Sequence, residues 1–250
     1  MGYIIRTRDD FYINGVSALT VGLAVEMPQP PPMAAPRYTD YNACSDEDVA
    51  IFDEQFDPIN YTITARIIKN PDDFDNSAIY KFIQGAKTLQ ISRLPDYFFK
   101  VQKVTGIVPV ARVKGNEIVY NIGFQLAPFK YHISDDPITH EGTGDTFTWQ
   151  NRGTRYSKPI FTFTLSALSG NGGFIMNNQS VYISLPENGI TSNRFVIDTE
   201  RMVAYYGTDT VTNGMMYTSG TFPYSSTGLN AMVLYGIIGS VSIKLNQRSY

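Results

Sequence analysis

From Ile59 to Lys69 the chain alternates: Ile59, Tyr61, Ile63, Ala65 and Ile67 fall on one face, and Asn60, Thr62, Thr64 and Arg66 on the other. A period of two is that of a half-buried strand. The pattern returns from Glu117 to Ala127, where Ile118, Tyr120, Ile122, Phe124 and Leu126 share a face, and the turn Lys114-Gly115-Asn116 makes the preceding segment its hairpin partner. Shorter strands are predicted at Phe11 to Val16, closed by an Asn-Gly turn, and at Gly22 to Met27, Tyr97 to Thr105 and Ile107 to Lys114. Only one segment changes period. Asn70-Pro71-Asp72-Asp73 supplies a cap, a proline suited to the first helical position and first-turn carboxylates, and Phe74, Ala78, Ile79, Phe82 and Ile83 follow at helical spacing, with Gly85 as the stop.

Pro128 reads as the end of this first unit, and the polar, proline- and glycine-bounded stretch Tyr131 to Gly144 as a connector. Beyond it no helical period is present. Thr146 to Gln150, Ile160 to Leu165, Phe174 to Asn177, Ser180 to Leu185, Arg194 to Asp198, Met202 to Tyr206 and Ala231 to Leu245 are predicted strands between glycine, asparagine and serine turns, a spacing that argues for an all-β sandwich. The expected architecture is mostly β, with one helix, in two domains: 1–133 and 134–250.

One segment fits neither unit. Pro28, Pro30, Pro31, Pro32 and Pro36 forbid regular ladder pairing and favour an extended path, so the stretch up to Pro58 reads as an arm that is either a linker or a reach toward a neighbour.

Composition narrows the chemistry. At 250 residues the chain is long enough for a large core, and its 17% of charged residues is below the roughly 25% of an average globular protein, while 17 tyrosines and 15 phenylalanines suit sheets and interfaces. A net charge of −3 without a Lys/Arg block gives no footprint for specific nucleic-acid binding. The single cysteine, Cys44, cannot form an internal disulfide or build a Cys-type metal site, which agrees with assembly in a reducing cytoplasm. The first residues lack an apolar core of signal-peptide length, and the longest apolar run, Ala231 to Val241, is far short of the ~20 residues needed to cross a bilayer. No membrane association is expected.

No catalytic motif emerges. The carboxylate groups Asp9-Asp10, Asp46-Glu47-Asp48, Asp72-Asp73-Asp75 and Asp135-Asp136 lack calcium-loop spacing and read as solvated turns or a helix start. His132 and His140 read as exposed connector residues, with no nucleophile elbow and no further ligands for zinc. Gly170-Asn171-Gly172-Gly173 lacks the Lys-Ser ending of a phosphate loop and reads as a turn, and Trp149 reads as core in preference to a sugar platform. No enzyme activity, metal or cofactor is expected.

A family resemblance is carried by ordered pieces along nearly the whole chain: FYINGV near the start, the proline-bearing arm, FIQGAKTLQISRLPDYFFKV (Phe82 to Val101), FQLAPFKYH (Phe124 to His132), NRGTRYSKPIFTF from Asn151, FVIDTE (Phe195 to Glu200), GTFPYSSTGLNAMVLYG (Gly220 to Gly236) and SIKLNQRSY at the end. Together they resemble the distal tail proteins (Dit) of phages with long non-contractile tails. The resemblance implies an N-terminal belt β-sandwich with one α-helix and a C-terminal galectin-like β-sandwich. It also implies a homo-hexameric ring in the virion tail tip, assembled in the host cytoplasm, that joins the major tail (tube) protein to the hub or fibre protein. In some phages the ring carries receptor-binding proteins. DNA would pass through the lumen.

This chain departs from many relatives in lacking a glycine-arginine turn within Asp40 to Asp53, and its short second-domain turns point to a minimal ring component. On the ring reading, the arm lies on the neighbouring subunit through Met27, Pro30, Met33, Tyr38, Tyr41, Ile51 and Phe52. The alternatives are a carbohydrate-binding β-sandwich module and a tail-tube subunit. The galectin-type cluster of His, Asn, Arg, Trp and Glu on one sheet is missing, so the fold is expected without that site.

Overall fold

Alternation along the chain becomes strand after strand. The computed structural model describes residues 9–25, 28–41, 49–67, 76–113, 117–133, 136–185, 192–207, 210–219 and 222–250. The chain divides into two compact units, Met1–Ile133 together with Tyr250, and Ser134–Ser249. Tyr250, counted with the second domain from the sequence, packs instead with the first unit, against Phe56 and Phe129.

The first unit contains β1 (Phe11–Ile13), β2 (Val16–Ser17), β3 (Leu23–Val25), β4 (Pro36–Tyr41), β5 (Val49–Phe56), β6 (Ile59–Ile67), α1 (Asn76–Gln84), β7 (Thr88–Ile91), β8 (Tyr97–Val113) and β9 (Glu117–His132). All but β4 and β5 form one antiparallel sheet in the order β2-β1-β7-β8-β9-β6-β3. The alternating residues of β6 and β9 turn one face inward, where Ile63, Ala65, Ile122, Phe124 and Leu126 join Phe11, Leu23, Leu89 and the helix residues Ile79 and Ile83 in a single core. Helix and sheet are tied by Asn14, which takes positive φ in the β1–β2 turn. Its side chain donates to the Gly85 carbonyl and accepts from the amides of Lys87 and Thr88. The capping residues Asn70 to Asp73 and Phe74 lie outside the described residues.

Four expectations are corrected here. Tyr97 to Thr105 and Ile107 to Lys114 are one strand, β8, whose ladder with β9 shifts register at four places. Such bulges bend a strand without ending it. Pro128 does not close the unit, because β9 runs through it to His132: Phe99 pairs with Lys130 and Val101 with Leu126, which puts Pro128 among the extra residues of a bulge where its missing N–H removes no ladder bond. The arm also becomes regular. From Pro36 it forms the hairpin β4–β5, a separate two-stranded sheet. Pro36 stands at the strand start, a position that tolerates proline. Asp10, read as solvated, is buried; its carboxylate accepts from the Phe11 amide and the Ser17 hydroxyl.

The second unit contains β10 (Ile138–Glu141), β11 (Thr146–Asn151), β12 (Ile160–Leu165), β13 (Gly170–Met176), β14 (Gln179–Leu185), β15 (Arg194–Asp198), β16 (Val203–Tyr206), β17 (Thr210–Val211), β18 (Met216–Thr218), β19 (Gly228–Gly236), β20 (Ile238–Lys244) and β21 (Arg248–Ser249). One sheet has the order β10-β20-β12-β15-β16-β17, the other β11-β19-β13-β14-β18. Phe161, Phe163, Phe174, Phe195, Leu234 and Ile243 fill the space between them, the first three in mutual ring contact. The predicted strand Ala231 to Leu245 is two strands. Gly236, at φ 69°, turns the chain from one sheet to the other with its Cα side against the Asn171 carbonyl, where a Cβ would lie 2.3 Å away.

Buried polar groups organise the loop after β11. The Asn151 side chain donates to the Ser225 and Arg155 carbonyls and accepts from the Gly153 amide, while Arg248 donates through Nε and Nη2 to the Tyr156 carbonyl. Trp149 is buried, with Nε1 donating to Ser225 Oγ at 3.1 Å. The supposed connector holds β10, an edge strand on which Ile138 reaches the core and His140 stacks on Phe147 at 4.2 Å. Neither histidine is an exposed linker residue: His132 ends β9 against the Tyr97 ring. Gly170 to Gly173 is strand as well, because Gly172 and Gly173 allow the neighbouring backbones to approach closely.

Two outcomes test this packing. A Cβ at Gly173 would stand 2.0 Å from the Val181 carbonyl oxygen, so Gly173→Ala lowers the stability of the second unit by about 3 kcal/mol, read as a reduced urea midpoint. In the first unit the buried Tyr61 hydroxyl donates to the Gln29 carbonyl, and burial pushes its pKa up to about 12. A phenol harder to ionise when folded contributes stability that is complete below pH 10 and disappears as pH rises toward 12. Tyr61→Phe costs about 1 kcal/mol at neutral pH and flattens the loss of stability above pH 10 in alkaline melts.

Candidate assembly site

The arm is tethered at both ends to the sheet it leaves. On the incoming side Pro28 and Ala34 are buried, and Tyr61 holds Gln29. On the returning side the Asp57 amide donates to the Ala35 carbonyl at 2.9 Å. Arg37 reaches across the same neck, with Nη2 3.0 Å from Asp57 Oδ1 and Nη1 3.0 Å from Gln55 Oε1. These groups are exposed, so the ion pair orients the neck more than it stabilises it. Beneath residues 30–33 lies a cavity of about 100 Å³ walled by Ile59, Leu94, Phe99 and Tyr250. The prolines therefore start from an anchored root.

Of the residues expected to contact a neighbour, Pro30, Met33 and Tyr38 are exposed, Met33 by 71% and Tyr38 by 54%. The register of the hairpin sets Tyr38 opposite Phe52 and Thr39 opposite Ile51, with Tyr41 opposite Val49. The side chains of Tyr41, Ile51 and Phe52, and Met27 altogether, lie outside the described residues.

A second feature escaped the sequence reading. β7 is short and pairs only with residues 98–100 of β8, so among the described residues the part of β8 from 103 to 113 has a strand on one side only, β9. Its other edge is open. Val108 and Val110 on this stretch are more than half exposed, and Pro109 stands between them. An open edge carries unpaired amides and carbonyls that another strand can satisfy. The signal was present in the sequence as a proline within a predicted strand, which marks an edge position.

The root of the β8–β9 hairpin is stiffened by side chains across the ladder. Phe98 stacks on Tyr131 at 5.5 Å, Lys100 Nζ lies 4.3 Å over the Tyr131 ring, and Lys130 Nζ lies 5.1 Å over Tyr97. Among the described residues no group of three or more His, Cys, Asp or Glu side chains lies together, and no helix is long and apolar enough to cross a membrane.

The sequence matches no protein-family model and no curated protein. Solved structures do match. The SPP1 Dit protein (gp 19.1), described as a paradigm of the hub adsorption apparatus in phages infecting Gram-positive hosts, superposes with a TM-score of 0.69 at 10% identity, over 94% of this chain and 97% of that one. A chain of the phage p2 baseplate in its activated conformation with Sr gives a TM-score of 0.57 at 8% identity, over 95% and 97%. The same baseplate with Ca gives 0.54 at 8% identity, over 97% and 98%. The mostly β chain, with its two units and single described α-helix, thus has the fold of a phage Dit protein.

Proposed function

We propose that the protein is a structural component of a phage tail tip, a distal tail protein that closes a homo-hexameric ring between the tail tube protein and the hub or fibre. The observation that carries this reading is the likeness to the SPP1 Dit protein over nearly the full length of both chains. The surfaces described above supply the physical means. A ring needs heterologous contacts, in which one surface meets a different surface on the next copy. The open edge of β8 and the tethered arm are two such unlike surfaces, one offering backbone hydrogen bonds and the other apolar side chains on a preset path. The belt role belongs to 1–133 and the galectin-like role to 134–250. A mildly acidic chain, net −3, suits a lumen through which DNA moves without being held.

The protein acts by geometry and transforms no substrate. A tail-tube subunit would use the same edge to grow open-ended tubes, and electron microscopy of the purified protein distinguishes tubes from closed rings.

Light scattering on the purified protein is expected to give the mass of six chains. Removing residues 30–35, or replacing the exposed Val110 by Glu to place a charge on the open edge, shifts the population to monomer. Each leaves the unfolding transition of the second unit in place, because both changes lie in the first unit; the exposed Val110 substitution also changes the first unit's own stability by only about 0.5 kcal/mol or less. A wild-type monomer at high concentration overturns the ring, and hexamers that survive both changes overturn the assigned surfaces.

A further inference from the structure

Asparagine followed by glycine is the pair in which a side-chain amide hydrolyses most readily, because glycine has no side chain to hold its backbone nitrogen away from the asparagine side-chain carbon. The chain contains four such pairs, at Asn14-Gly15, Asn171-Gly172, Asn188-Gly189 and Asn213-Gly214. The third lies outside the described residues. Asn171 lies within β13, and Asn213 accepts from the Ala204 amide and donates to the Met202 carbonyl, a local contact nine to eleven residues away in the chain. Asn14 differs from these in what its side chain joins.

Ile13 pairs with Val16, so Asn14 and Gly15 are the two turn residues, at φ 53° and 79°, the left-handed pair that a tight hairpin turn requires. From this turn Asn14 makes four hydrogen bonds to one segment, where α1 ends and β7 begins. Its backbone amide donates to the Thr88 carbonyl at 3.1 Å and Nδ2 to the Gly85 carbonyl at 2.8 Å, while Oδ1 accepts from the Lys87 and Thr88 amides at 2.9 and 3.1 Å. The turn is nevertheless open to water: both residues are exposed, and a Cβ on Gly15 would meet no atom within 4 Å. What is missing is the reacting geometry. In the left-handed region ψ is about +47°, which turns the next residue's nitrogen away from Cβ, so the Gly15 nitrogen reaches the Asn14 side-chain carbon only when the turn and its four hydrogen bonds come apart together.

We propose that Asn14 is a conditional modification site, whose side-chain amide is hydrolysed by water only in molecules where the β1–β2 turn has left residues 85–88. In the opened turn the Gly15 nitrogen attacks Asn14 Cγ and its proton passes through solvent to Nδ2. The Cγ–Nδ2 bond breaks, ammonia leaves, and a five-membered imide remains. Water then opens the imide at one of its two carbonyls, giving an aspartate or an isoaspartate. Neither product fits the closed junction. The aspartate sets a carboxylate oxygen, which only accepts, where an amide had donated to the Gly85 carbonyl. That carbonyl follows the last turn of α1, at the negative end of the helix dipole, so the new charge is repelled. The isoaspartate adds a backbone carbon to a two-residue turn and breaks the pairing of Ile13 with Val16. A molecule that opens here and reacts is therefore marked permanently, and the mark keeps helix and sheet apart.

The test incubates the full chain in mildly alkaline buffer without denaturant, with guanidinium chloride below the unfolding transition, and with enough to unfold it, and follows amide-to-acid conversion in the Asn14 peptide by mass spectrometry. Conversion in the folded protein is expected to be at least about tenfold slower than in the unfolded chain, and to rise with denaturant below the global transition as the turn opens locally. The Asn14→Asp protein is expected to show a lower denaturation midpoint for the first unit and an unchanged one for the second. Equal rates in folded and unfolded protein, or no conversion of Asn14 in the unfolded chain, overturn the proposal. Faster conversion in the folded state also does, because the Lys87 and Thr88 amides would then be activating the side chain. So does an Asn14→Asp protein as stable as the wild type, since the product would rebuild the junction. The rates are read on wild-type protein, and if the variant does not fold, aged wild type resolved by ion exchange into converted and unconverted forms and then refolded supplies the stability comparison.

Discussion

A β-sheet that does not close on itself ends in strands whose outer amides and carbonyls lack partners, and those groups must be paired, hidden or kept few. The two units meet this constraint differently. In the second unit the sheets end in strands that are mostly short: β17 has two residues, β18 three and β10 four. In the first, the outer half of β8 has, among the described residues, a partner on one side only, because β7 stops after four residues. One unit is finished as it stands. The other carries, among the described residues, backbone groups that a further strand would satisfy.

Side-chain chemistry follows the same division of labour. The second unit spends its polar side chains internally, with Asn151, Ser225 and Arg248 satisfying the backbone of an irregular loop beside the aromatic core. Buried donors and acceptors of this kind hold a loop in one conformation because any alternative leaves them unpaired. In the first unit the polar side chains serve junctions instead: Asn14 joins helix to sheet, Tyr61 holds the arm, and Arg37 donates to Asp57 across its neck.

Much of the fold was legible because burial on one face forces a period of two. β6 and β12 lie where alternation puts them, and the run Ala78 to Ile83 marks the helix, although Ala78 itself is exposed. The errors have a common origin in residues whose conformational meaning depends on a neighbour. Pro128 and the glycines from Gly170 break an isolated segment, yet they sit inside strands where a bulge or a crowded partner makes them suitable. The histidines were misread for a related reason, since polarity says little about a side chain that finds an aromatic ring to cover it.

By itself the sequence determined the period of each strand, the division into a helix-bearing half and an all-β half, and the low charge, because these depend only on the order of side chains along one segment. Tertiary structure alone decided which strand would be left with an open edge, that the arm folds into a hairpin, and that Asn14 meets the end of the helix. Each of those is a relation between segments far apart in the chain. Register and strand order set it, and neither is contained in the pattern of any one strand.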